Sequence, residues 1–394
     1  MSSKKQVSEA KAGPRGMHSY FLSYPVFCAG SDGHGLLITG GGGGGKAYGV
    51  INYLQAHVVV GGHEVSMETV ATMDTGADAP TALSFCPAQG GVWACVLGAN
   101  CLLFKFNDAT LSMETLYRFK CEISGSDLEM ANCVKLSVSS GSLVCITGGE
   151  NKIVRVWQIE QQSGAGTKII GATLKHEFTK HGSEIVDADI VGDLLASSGK
   201  DGSVYLFRLS SGAANSQIRP LPLDTKTSTH LSIRSSFIVN EGKSVVVLCH
   251  HPRGPSYLFL YNIQSPQVPI YYVCVSKTQI TPSMGISECK TKVVVALAGG
   301  EKNIYKISHT NIKLILQSNK HCHEMPPGDT LFLNSDENFV VSASPDFSLN
   351  FFDPRFQSRS GLLWAALIVL ILCIIACIYY PEAVNSVIAF KNEL

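Results

Sequence analysis

Gly40-x4-Gly45-Lys46 fits the first seven positions of a phosphate-binding loop. The next position must be Ser or Thr, whose hydroxyl ligates Mg²⁺, and here it is Ala47. Such a loop also needs a following helix whose N-terminus holds the phosphate. Tyr48-Gly49-Val50-Ile51-Asn52 instead places a glycine and two β-branched residues there, a poor helix opening. Nucleotide binding by this loop is therefore set aside. What remains is a run of six glycines, Gly40 to Gly45. Glycine reaches φ > 0 and lets another backbone approach closely, but it loses the most freedom on ordering. An ordered version implies a strong local reason: a phosphate, an ion or a protein partner. A floppy linker is the plain alternative. The flanks, Leu36-Leu37-Ile38 and Val50-Ile51-Asn52-Tyr53-Leu54, read as strands, so the loop is expected to join neighbouring strands.

Other chemistry-bearing clusters are weaker. His321-Cys322-His323-Glu324 lacks a second pair at zinc spacing and reads as a surface loop. Cys249-His250-His251 continues a strand into a turn. Asp187 and Asp189 alternate on a strand without an assignable base or nucleophile. No Gly-x-Ser-x-Gly elbow or Ser-His-Asp order is visible, so covalent enzyme chemistry has no carrier.

The elements around these residues repeat. From 30 to 353 a loose unit recurs: an apolar stretch, a turn, a β-rich run ending in small residues, a polar turn, then alternating apolar residues. Gly35 to Leu54 is the first. Val92 to Gly98 with Leu102 to Phe106 is the second, and Leu143 to Gly149 with Val154 to Trp157 the third. Leu194 to Gly202 with Val204 to Phe207 is the fourth, and Ser244 to Cys249 with Tyr257 to Tyr261 the fifth. Val293 to Ala298 with Ile304 to Ile307 is the sixth, and Phe339 to Ser344 with Leu349 to Asp353 the seventh. A period of roughly 40 to 50 residues with these signals reads as propeller blades. The third, fourth and seventh units resemble WD repeats most closely; in the fourth, the span from His181 to Phe207 at the Trp position, with Asp201 in its turn, mimics the repeat. The Trp-Asp dipeptide itself is absent. The expected fold is all-β, a closed seven-bladed WD-repeat-like propeller over 17–356. A pair of β-sandwiches is the runner-up.

Lys+Arg and Asp+Glu are 31 each, which leaves no basic footprint for nucleic acid. Thirteen cysteines without CxxC pairs read as reduced structural thiols, hence a cytosolic main body. The polar segment 1–16 is expected to be a disordered tail and not a signal peptide. Leu362 to Tyr380 is 19 residues without a charge. As a helix it would span about 28 Å, one hydrocarbon thickness. Trp364 and Tyr379-Tyr380 would sit at the interfaces. Arg355 and Arg359 precede the segment and only Lys391 follows, which favours a cytosolic N-terminal side and a lumenal tail over 381–394. The tail ends Lys391-Asn392-Glu393-Leu394, close to the Lys-Asp-Glu-Leu retrieval address.

One pattern ties the loop, the propeller and the anchor together. Gly41-Gly42-Gly43-Gly44, then Gly45-Lys46-Ala47-Tyr48, then Gly49-Val50-Ile51-Asn52 matches, without a gap, a family pattern of four glycines, four variable residues, Gly, an aliphatic, one variable residue and Asn. Asp78-Ala79-Pro80-Thr81-Ala82-Leu83 and His176 to Ile185 supply two shorter matches. In these the chain resembles the ER-membrane guanine-nucleotide exchange factors for the COPII small GTPase, the prolactin regulatory element-binding protein family. The extra glycines and the Lys-Asn-Glu-Leu tail depart from its pattern. The resemblance implies a single-pass ER membrane protein of ER–Golgi transport that promotes GDP release and GTP loading without covalent chemistry. It implies a potassium ion held by backbone of Gly42, Gly43, Gly44 and Gly49. It carries the exchange role onto Asn52, with Val50 and Ile51 beside it, and onto Asp78. Asn52 is expected to insert its amide near the GTPase nucleotide site, and Asp78 to hold the loop or a GTPase switch. Lys46, Tyr48 and Pro80 are the expected GTPase contacts. The competing expectations are a membrane-anchored scaffold without exchange activity, and DNA binding, which the net charge of zero argues against.

Overall fold

The computed structural model describes residues 10–12, 17–45, 49–61, 65–123, 129–162, 168–220, 231–318, 320–335, 339–353, 367–372 and 374–375. They form a seven-bladed, WD-repeat-like β-propeller. Two N-terminal strands, β1 (Ala10–Ala12) and β2 (Met17–Phe21), come first. Blade 1 is β3 (Val26–Ser31), β4 (Leu36–Gly41), β5 (Asn52–Val60) and β6 (Ser66–Gly76). Blade 2 is β7 (Pro80–Cys86), β8 (Val92–Leu97), β9 (Asn100–Asn107) and β10 (Ser112–Lys120). Blade 3 is β11 (Ala131–Ser139), β12 (Ser142–Gly149), β13 (Val154–Gln162) and β14 (Lys168–Phe178). Blade 4 is β15 (Ile185–Val191), β16 (Leu194–Gly199), β17 (Val204–Arg208) and β18 (Ala213–Ile218). Blade 5 is β19 (Ser232–Val239), β20 (Ser244–His250), β21 (Ser256–Asn262) and β22 (Pro269–Ser276). Blade 6 is β23 (Ser283–Ile286), β24 (Lys292–Ala296), β25 (Lys302–Ile307) and β26 (Ile312–Ser318). Blade 7 has only β27 (Asp329–Phe332), β28 (Val340–Ala343) and β29 (Ser348–Phe352) from its own stretch of chain. The fourth strand is supplied by β2, which pairs Met17 with Phe352 and Phe21 with Ser348, and β1 adds a fifth outside it, so residues 10–12 of the segment expected to be a disordered tail are a paired strand. The ring thus closes by the start of the chain, and no blade edge is left where the circle ends.

The second strands explain the apolar runs. β8, β16, β20 and β28 are buried along their whole length, because blades lie on both of their faces. Outer strands such as β10 and β22 show no fully buried residue. The first strand of each blade faces the central channel, where it has no ladder to its neighbours' first strands. Aspartates supply the missing partners. On β15, Asp187 Oδ2 accepts from the Ser236 amide at 3.1 Å and Asp189 Oδ2 from the Ile238 amide at 2.9 Å, tying blade 4 to blade 5. Asp189 also meets Lys135 of blade 3 at 3.3 Å and Lys290 of blade 6 at 2.9 Å. Asp329 on β27 accepts from the Ala29 amide of blade 1 at 3.2 Å, across the closure. Asp187 and Asp189, unassignable in the sequence, are therefore inter-blade ties.

WD-like polar triads brace two blades. His181 hydrogen-bonds Ser197 through Nε2 at 2.8 Å and Asp201 through Nδ1 at 3.1 Å. The ring that completes the set is Tyr205, edge-on to His181 at 4.7 Å. Phe207, expected at that place, stacks on Phe178 at 4.1 Å instead. Both project from one face of β17, and Tyr205 is the one nearer the turn. Blade 7 repeats the arrangement: His323 Nε2 meets Ser342 at 2.6 Å and Nδ1 meets Ser348 at 2.7 Å, with Asp346 at 3.6 Å. His323 is therefore a buried brace and not part of a surface loop. In blade 3 an ion pair of Arg155 with Glu122, 2.7 Å and fully buried, takes the corresponding place.

Antiparallel pairing sorts the turns onto two faces. Gly41, at the end of β4, pairs with Val26 at the start of β3, and Asn52 at the start of β5 pairs with Gly76 at the end of β6. In blade 7 the same face carries Ala343 and Leu349, whereas Phe352 pairs with Met17 and Val340 on the opposite face. The chain thus leaves the propeller on the face away from the glycine turn. Most of the expected span 362–380, and all of 381–394, lie outside the described residues. Of the span, 367–372 and 374–375 are helical, and Leu367 to Leu372 with Ile374 and Ile375 are exposed apolar side chains. Among the described residues no helix is long and apolar enough to cross a membrane.

Candidate functional site

The glycine run divides into two structural roles. Gly40 and Gly41 are the last residues of β4 and are buried. A Cβ on Gly40 would press on Pro80 Cβ at 2.6 Å, and one on Gly41 would collide with the Pro25 carbonyl. These two are glycine for packing. Gly42 begins the turn with φ 150°, and its amide donates to the Pro25 carbonyl at 3.1 Å. A side chain here would run into the Asn52 amide. Gly43 and Gly44 are exposed, and Gly45 returns to the blade through a bridge to Val50.

Asn52 organises the turn. It is the first residue of β5 and is fully buried. Its Oδ1 accepts from the Gly44 amide at 3.2 Å. Its Nδ2 donates to the carbonyls of Gly76 at 3.0 Å and Ala77 at 2.9 Å. One side chain thus ties the glycine turn to the β6–β7 connection. The expectation that Asn52 presents its amide outward to a partner does not match this arrangement, because the amide is spent inside the blade. Only a primary amide supplies an acceptor on one side and two donors on the other, which accounts for Asn at this position.

The β6–β7 connection carries Asp78. Thr75 Oγ1 donates to the Asp78 carbonyl at 2.9 Å, and the Gly76 amide donates to Asp74 Oδ1 at 2.9 Å, fixing a tight turn. The Asp78 carboxylate, 42% exposed, lies 3.7 Å from Arg118 of β10. A pair this exposed contributes little to stability, so the carboxylate remains available at the rim. Pro80 is buried beneath Gly40 and offers no surface to a partner; its ring fills the space that the missing Gly40 side chain leaves. Val50 is half-buried against Gly43 and joins the apolar cluster between blades 1 and 7. Ile51 is half-buried and Gly49, with φ 81°, is exposed. Lys46, Ala47 and Tyr48 lie outside the described residues.

A buried polar thread supports the turn from below. Tyr24 Oη meets Thr39 at 2.6 Å, Thr39 meets His57 Nε2 at 2.8 Å, and His57 Nδ1 meets Thr69 at 2.9 Å. Burial pushes the His57 pKa down to about 3, so the imidazole is neutral and acts as donor at one nitrogen and acceptor at the other. Tyr24 also packs edge-on against Tyr53 at 5.7 Å. The thread ties the segment before β3 to β4, β5 and β6.

For a cation, the donors on offer at the turn are the main-chain carbonyls of Gly42, Gly43, Gly44 and Gly49. Among the described residues no group of three or more His, Cys, Asp or Glu gathers as a metal site. Carbonyl oxygens suit a hard, weakly charged ion, so the donor chemistry fits potassium. Sequence reasoning missed Arg118 as the neighbour of Asp78, for which no spacing signal exists. It also missed His323, although the separations His323–Ser342 of 19 and His181–Ser197 of 16 are similar. No protein-family model matches this chain, and no curated protein matches it.

Proposed function

We propose that this protein is a guanine-nucleotide exchange factor of the ER membrane, acting on the small GTPase that initiates COPII coats. The observation that carries the reading is the Asn52 clamp. It joins the exposed Gly43-Gly44 turn to the turn bearing Asp78 on one rim of blade 1. Exchange requires a surface that binds the nucleotide-free GTPase more tightly than the GDP form. A glycine turn held in one shape by a buried amide loses little entropy when it docks, so more of its contact energy is left for that distinction. In this reading Asn52 shapes the turn, Asp78 offers the rim carboxylate, and Val50 and Ile51 hold the turn's base. Lys46 and Tyr48 would supply contacts to the GTPase. A bound potassium ion would hold the glycine carbonyls together and offset the ordering cost.

The segment 362–380 would be the transmembrane anchor, with the propeller cytosolic and 381–394 lumenal. The residues between Asp353 and Leu362 can bridge at most about 30 Å. Because the chain leaves on the face opposite the glycine turn, the anchor would hold that face near the bilayer and turn the exchange rim to the cytosol. The test is nucleotide release from the GTPase with wild type and Asn52→Ala. A second reading, an anchored scaffold without exchange activity, draws on the same clamp: an amide satisfied within its own blade needs no partner to explain it.

A further inference from the structure

Blade 6 encloses an amine that makes no direct ion pair, although the Glu301 carboxylate next to it in sequence acts on it from farther away. Lys302, the first residue of β25, is completely buried. Its Nζ donates to Asn350 Oδ1 of blade 7 at 2.7 Å and to the Gly300 carbonyl at 3.2 Å, and it lies 3.5 Å from Cys322 Sγ. These neighbours are an amide, a carbonyl and a thiol. Burial lowers the Lys302 pKa below the usual lysine range, towards the free amine, which is the nucleophilic form. Cys322 differs from the eight buried thiols of the propeller in being only half-buried; burial pushes its thiol up, and the neighbouring Lys302 amine pulls it back down. The thiol is also oriented, since Sγ donates to the Gly300 carbonyl at 3.0 Å. A half-buried thiol and a buried amine thus face one another on a common carbonyl.

We propose that Lys302 and Cys322 form an oxidant-responsive covalent pair, which peroxide closes into a sulfenamide between β25 and the segment entering blade 7. In the first step the Cys322 sulfur attacks hydrogen peroxide. The O–O bond breaks, an S–O bond forms, and Cys322–SH plus H₂O₂ becomes Cys322–SOH plus water, with sulfur oxidised and peroxide reduced. In the second step the Lys302 nitrogen lone pair attacks that sulfur. The N–S bond forms, the S–O bond breaks, and hydroxide leaves with a proton from nitrogen as water. The product is Lys302–NH–S–Cys322, and a thiol reductant returns both side chains. To reach the sulfur, Nζ moves away from Asn350. Oxidation therefore exchanges a hydrogen bond between blades 6 and 7 for a covalent link.

The experiment treats the full-length protein with hydrogen peroxide, quenches it, digests it with trypsin without reductant, and reads the peptides by mass spectrometry. The expected product is a Lys302–Cys322 cross-linked peptide lacking two hydrogens, uncut after Lys302, and released by dithiothreitol. Cys101 and Cys145, 3.9 Å apart and fully buried, would lose the same two hydrogens as a disulfide, so peptide assignment and not intact mass decides. Lys302→Arg and Cys322→Ser should each abolish the link, and the second keeps the buried lysine in place if the first disturbs folding. Cys322 advanced to sulfinic acid beside a tryptic cut at Lys302 would overturn the proposal. So would an unmodified Cys322 in protein whose exposed Cys274 and Cys289 have been oxidised.

Discussion

Replacing Asn52 with Ala separates a structural clamp from a side chain held for a partner. The substitution removes three hydrogen bonds, to the Gly44 amide and to the Gly76 and Ala77 carbonyls. A hydrogen bond contributes about 1 kcal/mol net, so the ceiling from this source is roughly 3 kcal/mol. Gly44, Gly76 and Ala77 are exposed, and water can take over part of the pairing. Asn52 itself is fully buried, so the lost amide also leaves a void. The two corrections oppose each other and leave about 2 kcal/mol. For a propeller of this size that is a fall in Tm of roughly 3 °C. Locally it is roughly a 30-fold faster opening, read by hydrogen exchange of the glycine turn and the end of β6. Asn52→Asp is the sharper companion. It keeps an oxygen for the Gly44 amide but turns a second oxygen onto two carbonyls, and it should lose at least as much. Unchanged protection of both turns in Asn52→Ala, with Tm within about 0.5 °C of wild type, would refute the clamp.

Further outcomes follow from the same geometry. Gly42→Ala should loosen the turn as Asn52→Ala does, because the new methyl occupies the place of the Asn52 amide; hydrogen exchange over 42–52 reads it. Asp189→Ala should cost about 3 to 5 kcal/mol, since Lys135 and Lys290 lose their carboxylate; denaturant titration measures it, and a loss under 1 kcal/mol would sink the inter-blade tie. Burial raises the Asp329 pKa to about 7 from an unfolded value of 3.8. A carboxyl raised on folding favours the folded state in its protonated form, so that contribution is complete at low pH and is lost as pH rises through about 7. Asp329→Asn should flatten this part of the stability–pH curve, and an unchanged slope between pH 4 and 7 would contradict the assignment. Replacing potassium by choline should raise hydrogen exchange in the glycine turn alone, and no cation dependence there would remove the ion from the account.

The ring was legible in the sequence because each blade must bury its second strand on both faces, which leaves an apolar run ending in small residues, as in Leu194 to Gly199. Which strand closes the ring was not legible, because β2 is five residues long and its partner Phe352 lies at the other end of the propeller. Side-chain order within a triad was only half legible: spacing found His181 and Asp201, but Tyr205 and Phe207 share one face of a strand and only the turn geometry separates them. The glycine loop was visible as a loop between strands. Which glycines serve packing and which serve the turn depends on Pro25, Pro80 and Asn52, contacts that no local pattern encodes. The inward-facing Asn52 illustrates the same limit. An asparagine beside a glycine turn reads equally as a probe or as a clamp until its three partners are placed.

The measurement that bears most directly on the central claim is GDP release from the COPII small GTPase, followed by mant-nucleotide fluorescence. The full-length protein would be reconstituted in vesicles in potassium buffer. Faster release is expected with wild type, and return to the intrinsic rate with Asn52→Ala in spite of a folded propeller. An intrinsic rate in the presence of folded wild-type protein would contradict exchange activity and leave the anchored scaffold.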